Sequence, residues 1–294
     1  MHPHLFTLPW GTEVNAYGTL IMLGGLLCLP MTVWDAASRG IPRARRLSFL
    51  VDMWLVIVLG AFFGGRLLHV VTVPGVYAED PSKLFAIDST GFVFFGSLLA
   101  VAGGWIGLAR RYDLRVGSVW DMGLTWLPLG HAAGRFGCFL AGCCWGGVHT
   151  GGRGLRFGPD SIVVLTSGAP VVGGGDTLTT LPLHPTQLYE AFGLLTLLAL
   201  TWAIRVRRGV EPPWRMASRY ALAYGLLRAC VEVFRGDASR GFVFECTAPS
   251  LSRALSLAPE HPLLLSISQV TALGMVALGA WGLWKTRQAP EIEA

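Results

Sequence analysis

Charge is what this chain has least of. Of its 294 residues only 14% are Asp, Glu, Lys or Arg, against 52% hydrophobic, and the mean hydropathy is +0.53. A soluble domain carries about 25% charged residues, so the composition excludes an ordinary water-exposed surface and points to a polytopic membrane protein. Other absences narrow the class. Residues 1–13 lack a basic segment, and the apolar run that follows is long enough to span a bilayer, so no cleavable signal peptide is expected. No internal repeat and no low-complexity linker breaks the chain, which favours one membrane domain over residues 1–294. The six cysteines include no C-x2-C pair and have no His pair nearby, so neither a metal nor another cofactor is expected. The net charge of +5 does not imply nucleic acid, because the basic residues fall in short clusters between apolar segments, as orienting loop charges do.

What the chain does have is apolar length, with 38 glycines and 11 tryptophans that suit close helix approach and interfacial anchoring. Apolar runs of about 20 residues span the hydrocarbon core. Seven are expected, near 14–34, 48–72, 91–109, 117–141, 186–206, 217–235 and 263–284. Loops after the first, third, fifth and seventh hold fourteen Lys or Arg, including Arg39, Arg43, Arg110 and Arg207. The opposite side holds six: Lys83, Arg153, Arg156, Arg235, Arg240 and Arg253. That asymmetry puts the N-terminus outside and the C-terminus in the cytoplasm. The expected fold is an all-α polytopic membrane protein of seven transmembrane helices. On its outer side, residues 146–183, rich in Gly, Thr and Val, are expected to form a small β-rich periplasmic cap, and 236–262 hold Cys246. A weak periodicity suggests an amphipathic arm near 75–90.

The run Gly134-Arg135-Phe136-Gly137-Cys138-Phe139-Leu140-Ala141-Gly142-Cys143-Cys144-Trp145-Gly146 sets a permanent charge and three thiols into a membrane-spanning segment. A guanidinium at that depth costs about 3 kcal/mol or more, so it needs a partner. Its fork matches a phosphate, which suggests an anionic lipid headgroup. Gly130, Gly134, Cys138, Gly142 and Gly146 recur every four residues and read as a face for close approach of another helix, with Arg135 turned inward beside it. Tyr224, Arg228 and Glu232 share one face of the sixth span. Arg228 and Glu232 could neutralise each other there and still leave donors of Arg228 over.

The stretch His184-Pro185-Thr186-Gln187-Leu188-Tyr189-Glu190 reads equally as a helix entry and as a set of proton-handling groups. Arg66 and His69 could bind phosphate or snorkel towards headgroups, while Asp52 and Asp121 read as interfacial or capping residues. Cys28 and Cys230 read as small apolar packing residues. A disulfide between Cys246 and Cys143 or Cys144 is open on an outer face, with a thiol-redox role as the sharper version.

In their order these motifs, with Asn15-Ala16-Tyr17-Gly18, Gly64-Gly65-Arg66-Leu67 and Tyr224-Gly225-x-x-Arg228-x-x-x-Glu232-x-x-Arg235, resemble the prolipoprotein diacylglyceryl transferase family over nearly the whole chain. The resemblance implies an enzyme of the bacterial inner membrane. Such enzymes carry the diacylglyceryl group of phosphatidylglycerol onto the lipobox cysteine of a prolipoprotein, the first step of lipoprotein maturation. It implies catalytic roles for Arg135, Arg228, His184 and Tyr224, and headgroup contacts from Arg135, Arg228, Tyr17, Arg66 and Glu232. The implied partners are phosphatidylglycerol, prolipoprotein signal peptides and the membrane.

The chain departs from the family in the stretch Phe92-Val93-Phe94-Phe95-Gly96-Ser97, where Phe95 stands at the position of a family His. Cys138 stands for a family Asn and Cys143 for an acidic residue, so the chain resembles a divergent, Cys-rich branch. Three readings follow: an active transferase whose base is His184, Glu190 or a tyrosine; a lipid-binding relative with another acceptor or no thiol chemistry; and a transporter or thiol-redox protein.

Overall fold

The computed structural model describes residues 4–9, 11, 13–85, 93–166, 168–236 and 241–287. Arg240, Phe92 and residues 86–90 of the expected arm lie outside the described residues. In chain order the elements are β1 (His4–Thr7), β2 (Glu13–Asn15), α1 (Ala16–Ser38), α2 (Arg43–Leu59), a π-helical turn (Gly60–Gly64), α3 (Gly65–Thr72) and α4 (Pro74–Glu79). A 3-10 turn (Pro81–Phe85) leads to α5 (Phe94–Arg111), α6 (Val116–Ala141), α7 (Ile162–Leu165), β3 (Val171–Val172) and β4 (Thr179–Thr180). Then come α8 (Thr186–Arg208), α9 (Arg215–Glu232), β5 (Phe242–Cys246), α10 (Pro249–Ala254), β6 (Leu264–Ser266) and α11 (Ile267–Arg287).

A long helix stands at each expected apolar segment. Four of them, Ala16–Ser38, the continuous Arg43–Thr72, Thr186–Arg208 and Ile267–Arg287, have both the length and the hydropathy to cross a membrane. The mostly helical chain is that of a polytopic membrane protein. α9 is more polar because it carries Arg215, Arg219, Arg228 and Glu232. Among the described residues the β-ladders are three short antiparallel pairs, β1-β2, β3-β4 and β5-β6.

Two compact units emerge: residues 1–28, 124–211 and 215–294 form one, and residues 29–123 with 212–214 the other. In the second unit, α2, the π-turn and α3 lie against α5 at backbone distance. A Cβ on Gly64 would come within 2.5 Å of the Gly96 carbonyl oxygen. The π-turn loosens the local hydrogen-bond ladder, and Ser97 Oγ donates to the Ala61 carbonyl at 2.7 Å. Asp52, read as an interfacial or capping residue, keeps part of its carboxylate exposed. It accepts from Tyr112 Oη at 2.7 Å and pairs with Arg111 Nε at 3.0 Å. Asp121, read in the same way, is instead fully buried in α6.

In the first unit, α1 packs on α6. Gly24 lies against Ala133 and Gly130, and Gly137 against the Tyr17 backbone. α9 and α11 press together through Gly225, whose Cβ would lie 2.7 Å from the Ala272 carbonyl oxygen, and through Gly279 and Gly282 against Ser218. Buried Glu211, between α8 and α9, holds Arg219 with both carboxylate oxygens. The segment 146–183 is not the β-rich cap expected of it. Glycines at 152, 154, 158, 168, 173, 174 and 175 interrupt its runs, so strands stop at two residues. Its apolar residues Phe157, Val163, Val164 and Leu183 instead gather in a small core with Trp145 and Val148.

Candidate active site

Three helices of the first unit place ionisable groups in one buried cluster. Arg135 extends from α6, Glu190 from the second turn of α8, and Tyr224, Arg228 and Glu232 from successive turns of α9. Glu190, only 1% exposed, is their common partner. Its Oε1 lies 3.1 Å from Arg135 Nη2 and accepts from Tyr224 Oη at 3.0 Å. Its Oε2 lies 3.6 Å from Arg228 Nη1. Arg228 Nη2 pairs with Glu232 at 2.6 Å and donates to Ser268 Oγ at 3.3 Å. Glu232 in turn accepts from Ser266 Oγ at 3.0 Å, and Ser266 is tied through its backbone N–H to Gln269.

A charge so far from water persists only when paired and hydrogen-bonded. The cluster meets that condition with donors to spare. Among the described residues, Arg135 Nε and Arg228 Nη1 are buried without a hydrogen-bond acceptor. Buried Arg235 follows three residues beyond Glu232. The spare N–H groups of Arg135 and Arg228 match the oxygens of an anion in type and geometry.

Sequence reasoning singled out every member of this cluster except His131 and the supporting residues Ser266, Ser268 and Gln269. His131 lies one helical turn before Arg135, with Nε2 3.5 Å from Glu190 Oε1 and its ring centroid 5.2 Å from that of Tyr224. The signal was available, since an ionisable residue at i−4 to an intramembrane Arg is a functional candidate in its own right. What spacing could not give is Glu190 as the shared carboxylate, because that contact joins separate helices.

The motifs meet at a backbone junction beside the cluster. Gly146 N–H donates to the His184 carbonyl at 2.9 Å, Gly147 N–H to that of Phe234 at 2.8 Å, and Gly236 N–H to that of Trp145 at 3.2 Å. A Cβ on Gly146 would come within 2.5 Å of the His184 oxygen, so glycine is required by space. The expected five-residue stripe is thus split. Gly130 and Gly134 face α1, whereas α6 ends at Ala141, and Gly142 and Gly146 serve the turn beyond it. Thr186 Oγ1 donates to the Cys144 carbonyl at 2.8 Å and Gln187 Nε2 to that of Cys143 at 2.6 Å. All six cysteines are free thiols, so the disulfide left open with Cys246 is not formed.

His184 sits at this junction with both ring nitrogens engaged. Nε2 lies 3.2 Å from the Ser256 carbonyl, which can only accept, so Nδ1, 3.2 Å from Tyr189 Oη, is the acceptor of a neutral ring. Burial, together with the stacked His149 ring at 4.6 Å, pushes its pKa below the ordinary value. His184 and Tyr189 also line an open cavity of about 570 Å³ with Leu227, Phe234, Leu255 and Ser256.

Of the other residues singled out, Tyr17 lies within electrostatic reach of Arg135, and Asn15 Oδ1 accepts from Gly18 N–H at the start of α1. Arg66 and Phe95 belong to the other unit. Arg66 is 3% exposed with its guanidinium over the Phe62 ring, so it does not snorkel, and His69 turns instead to Tyr77 Oη at 2.8 Å.

Apolar helices around a buried, hydrogen-bonded cluster of Arg and Glu define a polytopic membrane protein with an ionisable centre. Within that class, the family model of prolipoprotein diacylglyceryl transferase matches residues 3–285, and the chain belongs to that family. It is 30% identical to the phosphatidylglycerol–prolipoprotein diacylglyceryl transferase of Caulobacter vibrioides over 94% of this chain and 87% of that one. It is 32% identical to the enzyme so named in Nitrosospira multiformis, over 78% and 73%. A Clostridium perfringens protein, phosphatidylglycerol–prolipoprotein diacylglyceryl transferase 2, is 29% identical over 78% and 81%.

Proposed function

We propose that this chain transfers the diacylglyceryl group of phosphatidylglycerol to the lipobox cysteine of prolipoproteins, in the bacterial inner membrane, which it crosses seven times with its N-terminus outside. The observation that carries the reading is the convergence of Arg135 and Arg228 on Glu190 with guanidinium donors left over. The lipobox sulfur attacks the glyceryl carbon, a C–S bond forms, and the C–O bond to phosphate breaks. Glycerol-1-phosphate then leaves with the electron pair. Arg135 and Arg228 hold the phosphate and stabilise the charge that grows on its departing oxygen. Tyr224 and Glu232 orient them, with Tyr17 beside Arg135.

The thiol proton requires an acceptor, and the His131–Glu190 contact supplies one inside the cluster. His184, with its ring already engaged, serves by holding the junction and the wall of the adjoining cavity, which suits an apolar part of a substrate. A role for Arg66 at the headgroup rests on the sequence resemblance.

In proteoliposomes with a lipobox peptide, Arg135→Ala and Arg228→Ala each lower transfer by about 100-fold or more while the protein remains inserted. Near-normal transfer by either variant overturns its assignment. Phe95 and Cys143, at positions where the family pattern has His and an acidic residue, favour a second reading: anionic lipid is bound but the acceptor differs. Complementation of a strain depleted of its own transferase separates the two. Growth supports transfer to prolipoproteins, and failure despite full expression moves the assignment to the second reading.

A further inference from the structure

The structure places Cys138, Cys143 and Cys144 with all three sulfurs within 4.8 Å of one another. We propose that these thiols form a binding site for a soft, thiophilic d10 cation, Zn²⁺ or Cu⁺. Among the described residues this is the set of potential ligands that lies so close together. A zinc–sulfur bond of about 2.3 Å puts sulfurs around one ion about 3.8–4.0 Å apart, so closure asks for side-chain adjustment and no refolding.

Backbone geometry brings the thiols together. α6 ends with Gly142 in the left-handed region at φ 71°, with Gly142 N–H bonded to the Phe139 carbonyl and Cys143 N–H to that of Cys138 at 3.0 Å. This helix-ending turn folds Cys143 back over the last turn that carries Cys138. Cys144 is held at φ 59°, a region that a non-glycine residue occupies at a cost of about 1–3 kcal/mol. The buried Thr186 and Gln187 fix the carbonyls of Cys144 and Cys143, so the turn is held from outside as well as within.

Charge fits too. Three thiolates around a divalent ion retain one negative charge, and Arg135 and Arg235 both lie within electrostatic reach of Cys144. Cys143 and Cys144 are only partly buried, which leaves an approach for the ion. The spacing Cys138-x4-Cys143-Cys144 does not read as a zinc motif because one ligand lies on the helix and two on the turn that ends it.

The test uses the full chain in detergent micelles with a non-thiol reductant. Zn²⁺ is titrated against a chromophoric chelator, and Cu⁺ is offered in a parallel arm. The expected result is one ion per chain. Cys138, Cys143 and Cys144 become protected from alkylation as read by mass spectrometry, while Cys246 stays reactive. Cys138→Ser and Cys144→Ser lower the affinity by more than about 100-fold, and Cys230→Ser leaves it unchanged. Metal analysis of the protein as purified then identifies which cation it carries. Because the protection readout uses the unaltered chain, misfolding of a serine variant does not blunt the test. Equal alkylation of the three thiols with and without either metal overturns the proposal, as does a disulfide among them in the protein as extracted.

Discussion

Glu190 sets the electrostatics of the centre, because one carboxylate meets Arg135, Arg228, His131 and Tyr224. Removing a buried partner strands the opposite charge at a cost of about 3–5 kcal/mol. Glu190→Gln is therefore expected to lower thermal stability in detergent by an amount of that order. Added anionic lipid should recover part of the loss and neutral lipid none. Equal recovery by both lipids counts against an anion site. His184 gives a second residue-scale expectation. Its folded pKa lies below the ordinary 6.5, so the unfolded chain takes up this proton first as pH falls. The contribution to stability is complete above about pH 6.5 and is lost on acidification below it. Melting followed from pH 7.5 downwards should show that slope, and His184→Gln should flatten it.

At the scale of elements, the long helices were legible because hydrophobic length depends on the sequence alone. The α9 face was legible because Tyr224, Arg228 and Glu232 are one turn apart. Contacts between helices were not. Nothing in the spacing of Arg135 and Glu190 says that α6 and α8 meet there. The glycine stripe was misread past Ala141 because a positive φ at Gly142 ends the helix, and periodicity carries no information beyond that point. The junction formed by Gly146, His184 and Gly236 makes a sharp prediction. Gly146→Ala and Gly236→Ala, whose Cβ atoms would each come within 2.5 Å of backbone oxygen, should destabilise by about 1–3 kcal/mol. Gly274→Ala in α11, with nothing within 4 Å of its Cβ, should be neutral or stabilising by up to about 1 kcal/mol. Parallel thermal melts of the three variants decide it.

For the whole molecule, the proposed topology rests on the fourteen-to-six distribution of Lys and Arg. An alkaline phosphatase fusion within 150–175 should be active, and one after residue 287 inactive, with a fluorescent-protein fusion at the same two places giving the reverse. The opposite pattern inverts the orientation. Apolar length and charge asymmetry depend on residue order alone, which is why the long helices were readable without a fold. The small core around Phe157 was not, because glycine breaks the runs whose residues it gathers.

The glycines between α9 and α11 carry a mechanical consequence. Where Gly225, Gly279 and Gly282 bring them to close contact, the two helices are locked as a single plank, and Arg228, braced by Ser268 of α11 and by Glu232, rides on it as a fixed jaw. Sliding one helix over the other would drive backbone into backbone. Any movement of Arg228 is therefore a movement of both helices together, and an anion bound as proposed meets a stiff wall on that side.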